Sequence, residues 1–262
     1  MDNQKRLRIM TYNLRNNSDI TPNSWVERKP LILELLQRES PDIIGTQECV
    51  FEQVQDMNTM LPKYDSVGLG REGGSNGEYM AIFFKKDRLQ VLEYNHFWLS
   101  DTPSTVASCT WGNDVTRMVT WIRFLDNETD LQFYFLNTHL DHISGNARIQ
   151  AANLIINKVS DFDKAIPIIL TGDFNTDANT EPHQVLLEQG KFFDTWDTAT
   201  DRINKDLGTF NDFNDVTGGH ERIDWILFRG NVITGMIQVI NDQPSGRFPS
   251  DHFPVMVDLQ VY

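Results

Sequence analysis

Short apolar runs that keep ending in polar or ionisable residues restrict this chain more than any other feature. Runs rich in β-branched and aromatic residues occupy Leu7–Asn13, Ile43–Thr46, Tyr79–Phe84, Leu89–Leu99, Met118–Phe124, Leu131–Thr138, Ile166–Thr171, Trp225–Phe228 and Pro254–Leu259. Bounded by turn-formers, runs of this length are strand signals. Three helices fall between them. Ser24 and Glu27 resemble a capping box ahead of Leu31, Ile32, Leu35 and Leu36, with Pro30 in the first turns. A second helix covers Val50 to Leu61. A third covers Asn146 to Val159, with Ile149, Ala152, Leu154, Ile155 and Val159 as its apolar stripe. Many strands and few amphipathic helices predict an α/β chain of packed sheets with helices outside. Trp98 to Val115 and Thr176 to Asp224 read as long functional loops. With no internal repeat or linker, residues 1–262 read as one domain.

A chain of 262 residues buries roughly three quarters of its unfolded surface and needs no staples. Its two cysteines, Cys49 and Cys109, form no CxxC pair and read as free buried thiols of a reduced compartment. The leading Met1 to Met10 stretch carries positive charge without an apolar region behind it, which reads as no secretion signal and a cytoplasmic protein. No apolar run reaches the length of a membrane span, and no amphipathic anchor stands out. A net charge of −14 weighs against tight binding of duplex nucleic acid, which is usually gripped through a basic surface.

The chemistry gathers where the strands stop. Asn13 follows Ile9-Met10-Thr11-Tyr12, Glu48 follows Ile43-Ile44-Gly45-Thr46-Gln47, and His139 follows Phe135-Leu136-Asn137-Thr138. Asp173, Phe174 and Asn175 follow Ile168 to Gly172, and further on stand Asp224 and the pair Asp251-His252. Strands sharing a sheet bring such ends to one edge. Oxygen donors from Glu48, Asp251 and Asn13 suit a hard cation such as Mg²⁺ or Mn²⁺. Such a cation polarises a phosphoryl oxygen, and an Asp–His pair orients an imidazole. Each residue alone reads as a solvated or capping group, and Asp-Phe-Asn alone as an Asx turn.

The ordered blocks Tyr12-Asn13, Gln47-Glu48, Asn137-Thr138-His139-Leu140, Gly172-Asp173-Phe174-Asn175, Arg222-Ile223-Asp224 and Ser250-Asp251-His252 together resemble the endonuclease/exonuclease/phosphatase superfamily, the DNase I-like fold. The match runs from residue 9 to residue 257. This resemblance implies a four-layer α-β-β-α sandwich of two mixed sheets and a divalent-metal-dependent phosphoesterase. It makes Glu48 the main metal ligand with Asn13 and Asp251 nearby. Asp173 and Asn175 would orient the attacking water, and Asp224 would buttress His252. His139 would touch the scissile phosphate or help protonate the leaving group, with Glu78 resembling its acidic partner.

Within the superfamily, the segment His96 to Pro103 with Trp111 and Arg117 to Trp121 resembles an uncharacterised bacterial branch, distantly similar to deadenylase-type exonucleases. The Cys-Asp-Arg block of inositol polyphosphate phosphatases is absent, as is the Gly-Asp-Leu-Asn of apurinic endonucleases. The leading expectation is metal-assisted in-line hydrolysis of a small or single-stranded phosphodiester, of 3′-5′ exonuclease type, by a monomer. A phosphomonoesterase acting on a sugar or lipid headgroup phosphate is the alternative, and a non-catalytic binding module is the alternative of another class. Arg117 reads either as a ligand for a second phosphate or carboxylate or as a salt-bridge partner. Asp141 and His142 read either as pocket walls or as a turn. Trp98 and Trp111 read as stacking platforms or as core. The acidic stretch of Asp194, Asp197, Asp201 and Asp206 reads as a solvated loop, and Asn179 to His183 as a helix start.

Overall fold

Alternation along the strands decides the layering of this protein, because neighbouring side chains on a strand face opposite sides of its sheet. A computed structural model describes residues 6–262. Met1 to Lys5, part of the stretch on which the secretion-signal reading rests, lie outside the described residues. One sheet has seven strands in the order β10 (Asp201–Ile203), β12 (Val232–Val239), β13 (Val255–Val261), β1 (Leu7–Asn13), β2 (Ile43–Gln47), β4 (Ile82–Lys85) and β3 (Tyr64–Val67). The other has six in the order β5 (Leu89–Trp98), β6 (Met118–Asp126), β7 (Leu131–His139), β8 (Ile168–Asp173), β11 (Asp224–Arg229) and β9 (Phe193–Asp194). Parallel pairs β1–β2 and β7–β8 sit among antiparallel neighbours, so both sheets are mixed.

Two of the cores lie on the outer faces. Ile32, Leu35 and Leu36 of α1 (Trp25–Glu39), with Val54 and Met57 of α2 (Phe51–Met60), pack on Met10, Tyr12, Ile44 and Phe83. Ala151, Ala152, Ile155 and Val159 of α3 (Gly145–Val159) pack on Leu136, Ile168, Leu170 and Leu227. The third core lies between the sheets, where Leu7, Ile9 and Ile43 meet Phe133, Phe135, Ile169 and Ile226. The expected α-β-β-α sandwich is the observed one.

Along the facing rows of strands the chemistry changes in steps. Ile9, Ile43, Phe135 and Ile169 are apolar, and the next residues on the same faces are Thr11, Gly45, Asn137 and Thr171. These form a buried polar seam. Asn137 Oδ1 accepts from Gln47 Nε2 at 2.7 Å and from Thr171 Oγ1 at 3.2 Å, while Asn137 Nδ2 donates to Thr46 O at 2.7 Å and Ala81 O at 3.0 Å. The sheets approach so closely there that a Cβ on Gly45 would lie 2.4 Å from Thr171 Oγ1 and 2.7 Å from Asn137 Oδ1. One further step along the rows come Asn13, His139 and Asp173.

Several expectations change. The stretch from Thr176 to Asp224 is not a plain loop: it carries α4 (Glu181–Gln184), a wide turn over Val185–Gln189, β9, α5 (Thr195–Thr198) and β10. Asp194 is buried, not solvated, accepting from Arg222 Nη2 at 2.7 Å and lying 3.0 Å from His183 Nε2. No ligand-like spacing marked it, because its partners come from distant parts of the chain. β12 escaped notice because Thr234-Gly235 interrupts its apolar pattern, and the register shifts between Thr234 and Ile237. Ser24 Oγ bonds the Glu27 carboxylate at 2.6 Å without capping a backbone N–H, and Pro30 sits inside α1. Trp98 is core, and Trp111 donates from its ring nitrogen to Asp101. Both cysteines are free, Cys49 buried and Cys109 half-buried.

Gly45→Ala should therefore push the sheets apart at the seam and lower stability by about 1–3 kcal/mol, as overpacking does. A thermal melt checks this, and an unchanged midpoint would mean that the sheets separate freely. His183 and Arg222 outweigh burial and hold the Asp194 carboxyl below its usual range. Its contribution is present above the unfolded value of roughly 3.9 and is lost as pH falls through the lower folded value. Asp194→Asn should cost about 2–4 kcal/mol at pH 7, and its difference from wild type in urea titrations should shrink below pH 4.

Candidate active site

The expected residues converge at one end of the sandwich. β1 and the segment before β13 bring Asn13, Asp251 and His252 from the seven-stranded sheet, and Glu48 stands just past β2. β7, β8 and β11 bring His139, Asp173 and Asp224 from the other sheet. Asn13 joins the halves: its Nδ2 lies 3.0 Å from Glu48 Oε1, 3.0 Å from Asp173 Oδ2 and 3.5 Å from His252 Nε2. Its Oδ1 accepts the Arg15 N–H at 3.0 Å, so the amide presents its donor side to the cluster. Backbone strain marks two of these positions, since Glu48 has φ 64° and Asn175 φ 51°. Left-handed backbone at a non-glycine residue concentrates at functional sites.

His252 Nδ1 lies 2.9 Å from Asp224 Oδ2, and its Nε2 is 3.7 Å from Asp173 Oδ2. Burial disfavours the imidazolium, but Asp224 and Asp173 outweigh it and raise the His252 pKa well above its ordinary value. Burial and the nearby Asp224 charge push Asp173 above the usual carboxylate range. Asp173 Oδ1 accepts the Asn175 N–H at 2.9 Å, and Asn175 Nδ2 lies 2.9 Å from His139 Nε2. His139 goes the other way: burial, then Arg117 and Arg71, keep it neutral. Glu78 does not partner it. The Glu78 carboxylate pairs with Arg71 and accepts from Asn16 Nδ2 at 3.3 Å. Asp141 also turns away, with Oδ1 accepting the N–H groups of Ile143 at 3.0 Å and Ser144 at 2.6 Å. The turn reading of Asp141 is the one observed, while His142 lines the cavity.

The donor set fits a hard cation. Arg15 Nη1 stands 3.8 Å from Glu48 Oε2 and 3.6 Å from Asp251 Oδ2, so these two carboxylates already share a positive charge. Burial, and the Glu48 charge with it, raises the Asp251 pKa, and a divalent ion would relieve that penalty. Glu48, His139 and Asp173 each offer one ligand atom within 4.8 Å of the others, as do Asp173, Asp224 and His252.

Some residues escaped the sequence reading. Arg28 of α1 is fully buried and, among the described residues, hydrogen-bonds to no carboxylate. Its guanidinium donates to five carbonyls, those of Leu14 at 2.7 Å, Asn23 at 2.8 Å, Arg15 and Asn16 at 3.0 Å, and Pro249 at 3.1 Å. It thereby ties the turn after Asn13 to the turn before Asp251. Arg71, Asn16 and the half-exposed Phe210 also line the cavity. None lies in a recognisable motif, because loops deliver them.

A sandwich of two mixed sheets carrying this cluster at one end defines a phosphoesterase of the DNase I-like class. The chain belongs to the endonuclease/exonuclease/phosphatase family, whose sequence model matches residues 10–252. It is similar along nearly its whole length to a mannosyl-6-phosphatase of Bacteroides thetaiotaomicron, with 36% identity and a TM-score of 0.92 over 97% of this chain and 99% of that one. An endonuclease/exonuclease/phosphatase of Bacteroides vulgatus superposes with a TM-score of 0.93 at 32% identity, over 98% and 99% of the two chains. Rat nocturnin is 25% identical over 90% of this chain and 58% of its own. An uncharacterised protein of Acanthamoeba polyphaga mimivirus is 34% identical over 58% of this chain and 60% of its own. The chain thus spans no more than 60% of the length of these two curated relatives.

Arg28→Met should leave five carbonyls without a donor and cost about 3 kcal/mol or more, since each buried orphan costs about 1–3 kcal/mol. Urea unfolding measures it. A variant as stable as wild type would show that water replaces the guanidinium.

Proposed function

We propose that this protein is a Mg²⁺- or Mn²⁺-dependent phosphomonoesterase acting on a small phosphorylated sugar or polyol. The cavity carries this reading. It is an open cleft of about 510 Å³, in the range of small-molecule sites, with Asp173, Asn175, His139 and His252 among its lining residues. A single phosphorylated sugar fits such a volume. The net charge of −14 disfavours a polyanionic strand. Similarity over the full length to a protein named mannosyl-6-phosphatase supports the sugar monoester over the phosphodiester expected from sequence.

The side chains divide the work as follows. Asp173, raised in pKa and held by Asn13 and Asn175, accepts the proton of the attacking water. His252, kept as an imidazolium by Asp224, donates to a phosphoryl oxygen as charge grows there. Neutral His139, accepting from the Asn175 amide at Nε2, forms with it the wall against which the phosphate is positioned for in-line displacement. Glu48 and Asp251, beside Asn13, would hold the cation, which when bound polarises the phosphoryl group and stabilises the departing alkoxide. No covalent enzyme intermediate is required. Phe210, packed edge-on against His252 with ring centroids 5.1 Å apart, offers an apolar face to the sugar ring.

Turnover of mannose 6-phosphate against bis(p-nitrophenyl) phosphate, with Mg²⁺, Mn²⁺ or EDTA, tests the reading. Metal-dependent kcat/KM should favour the monoester. Glu48→Ala and His252→Ala should each lower kcat by roughly 10²–10⁴ without unfolding the protein. Faster turnover of the diester would restore the phosphodiesterase reading. Wild-type rates no higher than Glu48→Ala on every ester would favour a binding module.

A further inference from the structure

One wall of the cavity holds cationic groups for which the hydrolytic steps above have no use. Arg117 lies at the entry to β6 and is only 4% exposed. Its Nη2 lies 3.1 Å from His142 Nδ1, and its Nε approaches Asp141 Oδ2 no closer than 3.9 Å. Among the described residues its Nε and Nη1 have no hydrogen-bond partner. Asp141 gives charge but no hydrogen bond, because its Oδ1 is held by the turn at Ile143 and Ser144 and its Oδ2 stands 3.9 Å from Arg117 Nε. Arg71 lines the same cavity beside it, engages Glu78 through Nη1, and also has an unpartnered Nε. Each guanidinium thus has one carboxylate beside it, Glu78 on Arg71 and Asp141 at 3.9 Å from Arg117, neither saturates its donors, and Asn16 draws on Glu78 as well.

A buried guanidinium with unmet donors is costly, since ions leave water at a penalty of several kcal/mol unless paired. Its planar fork suits the two oxygens of a carboxylate or phosphate. Arg117 and Arg71 act on His139 without hydrogen-bonding to Glu48, His139 or Asp173 among the described residues, so they form a wall beside the catalytic cluster rather than part of it.

We propose that Arg117 and Arg71 form a second anion subsite, reading a carboxylate or a second phosphate on the molecule whose phosphomonoester is cleaved. The proposal rests on the monoesterase reading and narrows it: the preferred substrate is a phosphorylated sugar or polyol carrying two acidic groups. His142 backs Arg117, and the Glu78 ion pair steers Arg71.

Matched pairs of ligands test this. Glucitol 6-phosphate and 6-phosphogluconate differ by a carboxylate at the far end, and fructose 6-phosphate and fructose 1,6-bisphosphate by a phosphate. Dissociation constants come from calorimetry on protein bearing Asp173→Asn, so that hydrolysis does not enter, and kcat/KM from the protein with Asp173 intact. In at least one pair the doubly acidic member should bind tenfold or more tightly, and which pair responds tells carboxylate from phosphate. Arg117→Met should collapse that ratio to within twofold, and Arg117→Lys should retain part of it. Equal affinity within both pairs would overturn the subsite. So would an Arg117→Met protein that weakens both members alike and keeps their ratio, since the side chain would then serve the fold or the scissile phosphate. If the binding preference stands while none of the four esters is hydrolysed, the subsite survives and the monoesterase reading fails.

Discussion

The polar seam around Asn137 is the contact on which this site depends. Sheets held only by apolar side chains pack about 10 Å apart. Here Gly45 removes a side chain, and Asn137 fills the gap with hydrogen bonds to Gln47, Thr46, Ala81 and Thr171. Four strand residues from both sheets, and Ala81 just before β4, are thereby fixed in depth and register just below the catalytic layer. Asn13 on one sheet then reaches Asp173 on the other at 3.0 Å. A buried polar network of this kind is demanding, because any unpaired member is expensive. Its reward is precision where two independently formed sheets must share one reaction centre.

Electrostatics divides the site into unlike halves. Glu48 and Asp251 place buried negative charge together, with Arg15 between them as a partial answer. Burial, with Arg117 and Arg71 as a positive wall, holds His139 neutral, while Asp224 and Asp173 keep His252 charged. Two imidazoles in one cavity are thus driven to opposite protonation states by their neighbours, the usual way for one site to present both a neutral and a charged hydrogen-bonding group. An acidic protein thus keeps a cationic wall, Arg71 and Arg117, in a cavity that is otherwise rich in carboxylates.

Much of the fold was legible in the strands themselves. Leu7–Asn13, Met118–Asp126 and Leu131–His139 alternate or run apolar long enough to declare a period, and α3 shows its stripe. β12 was not legible, because Gly235 and the register shift break its pattern. The elements between Thr176 and Asp224 are too short to show any period. The principal catalytic residues were visible because each closes or follows a strand, as His139 and Asp173 do. Glu78 takes as partners Arg71, seven residues away on the same β3–β4 connection, and Asn16 from the loop after β1, and no motif along the chain marks either.

By itself the sequence determined the class: two-residue and helical periods give sheets and helices, and the ordered blocks from Asn13 to His252 identify the family. Only the tertiary structure decided that Arg28 clasps five carbonyls, that Asp194 is buried with His183 and Arg222, and that Arg117 lines the cavity while two of its buried nitrogens lack partners. Periodicity is a local property, written in neighbouring residues. The partner of a buried charge is chosen across the fold, from 11 residues away for Asp194 and His183 to 221 for Arg28 and Pro249, where no pattern along the chain records it.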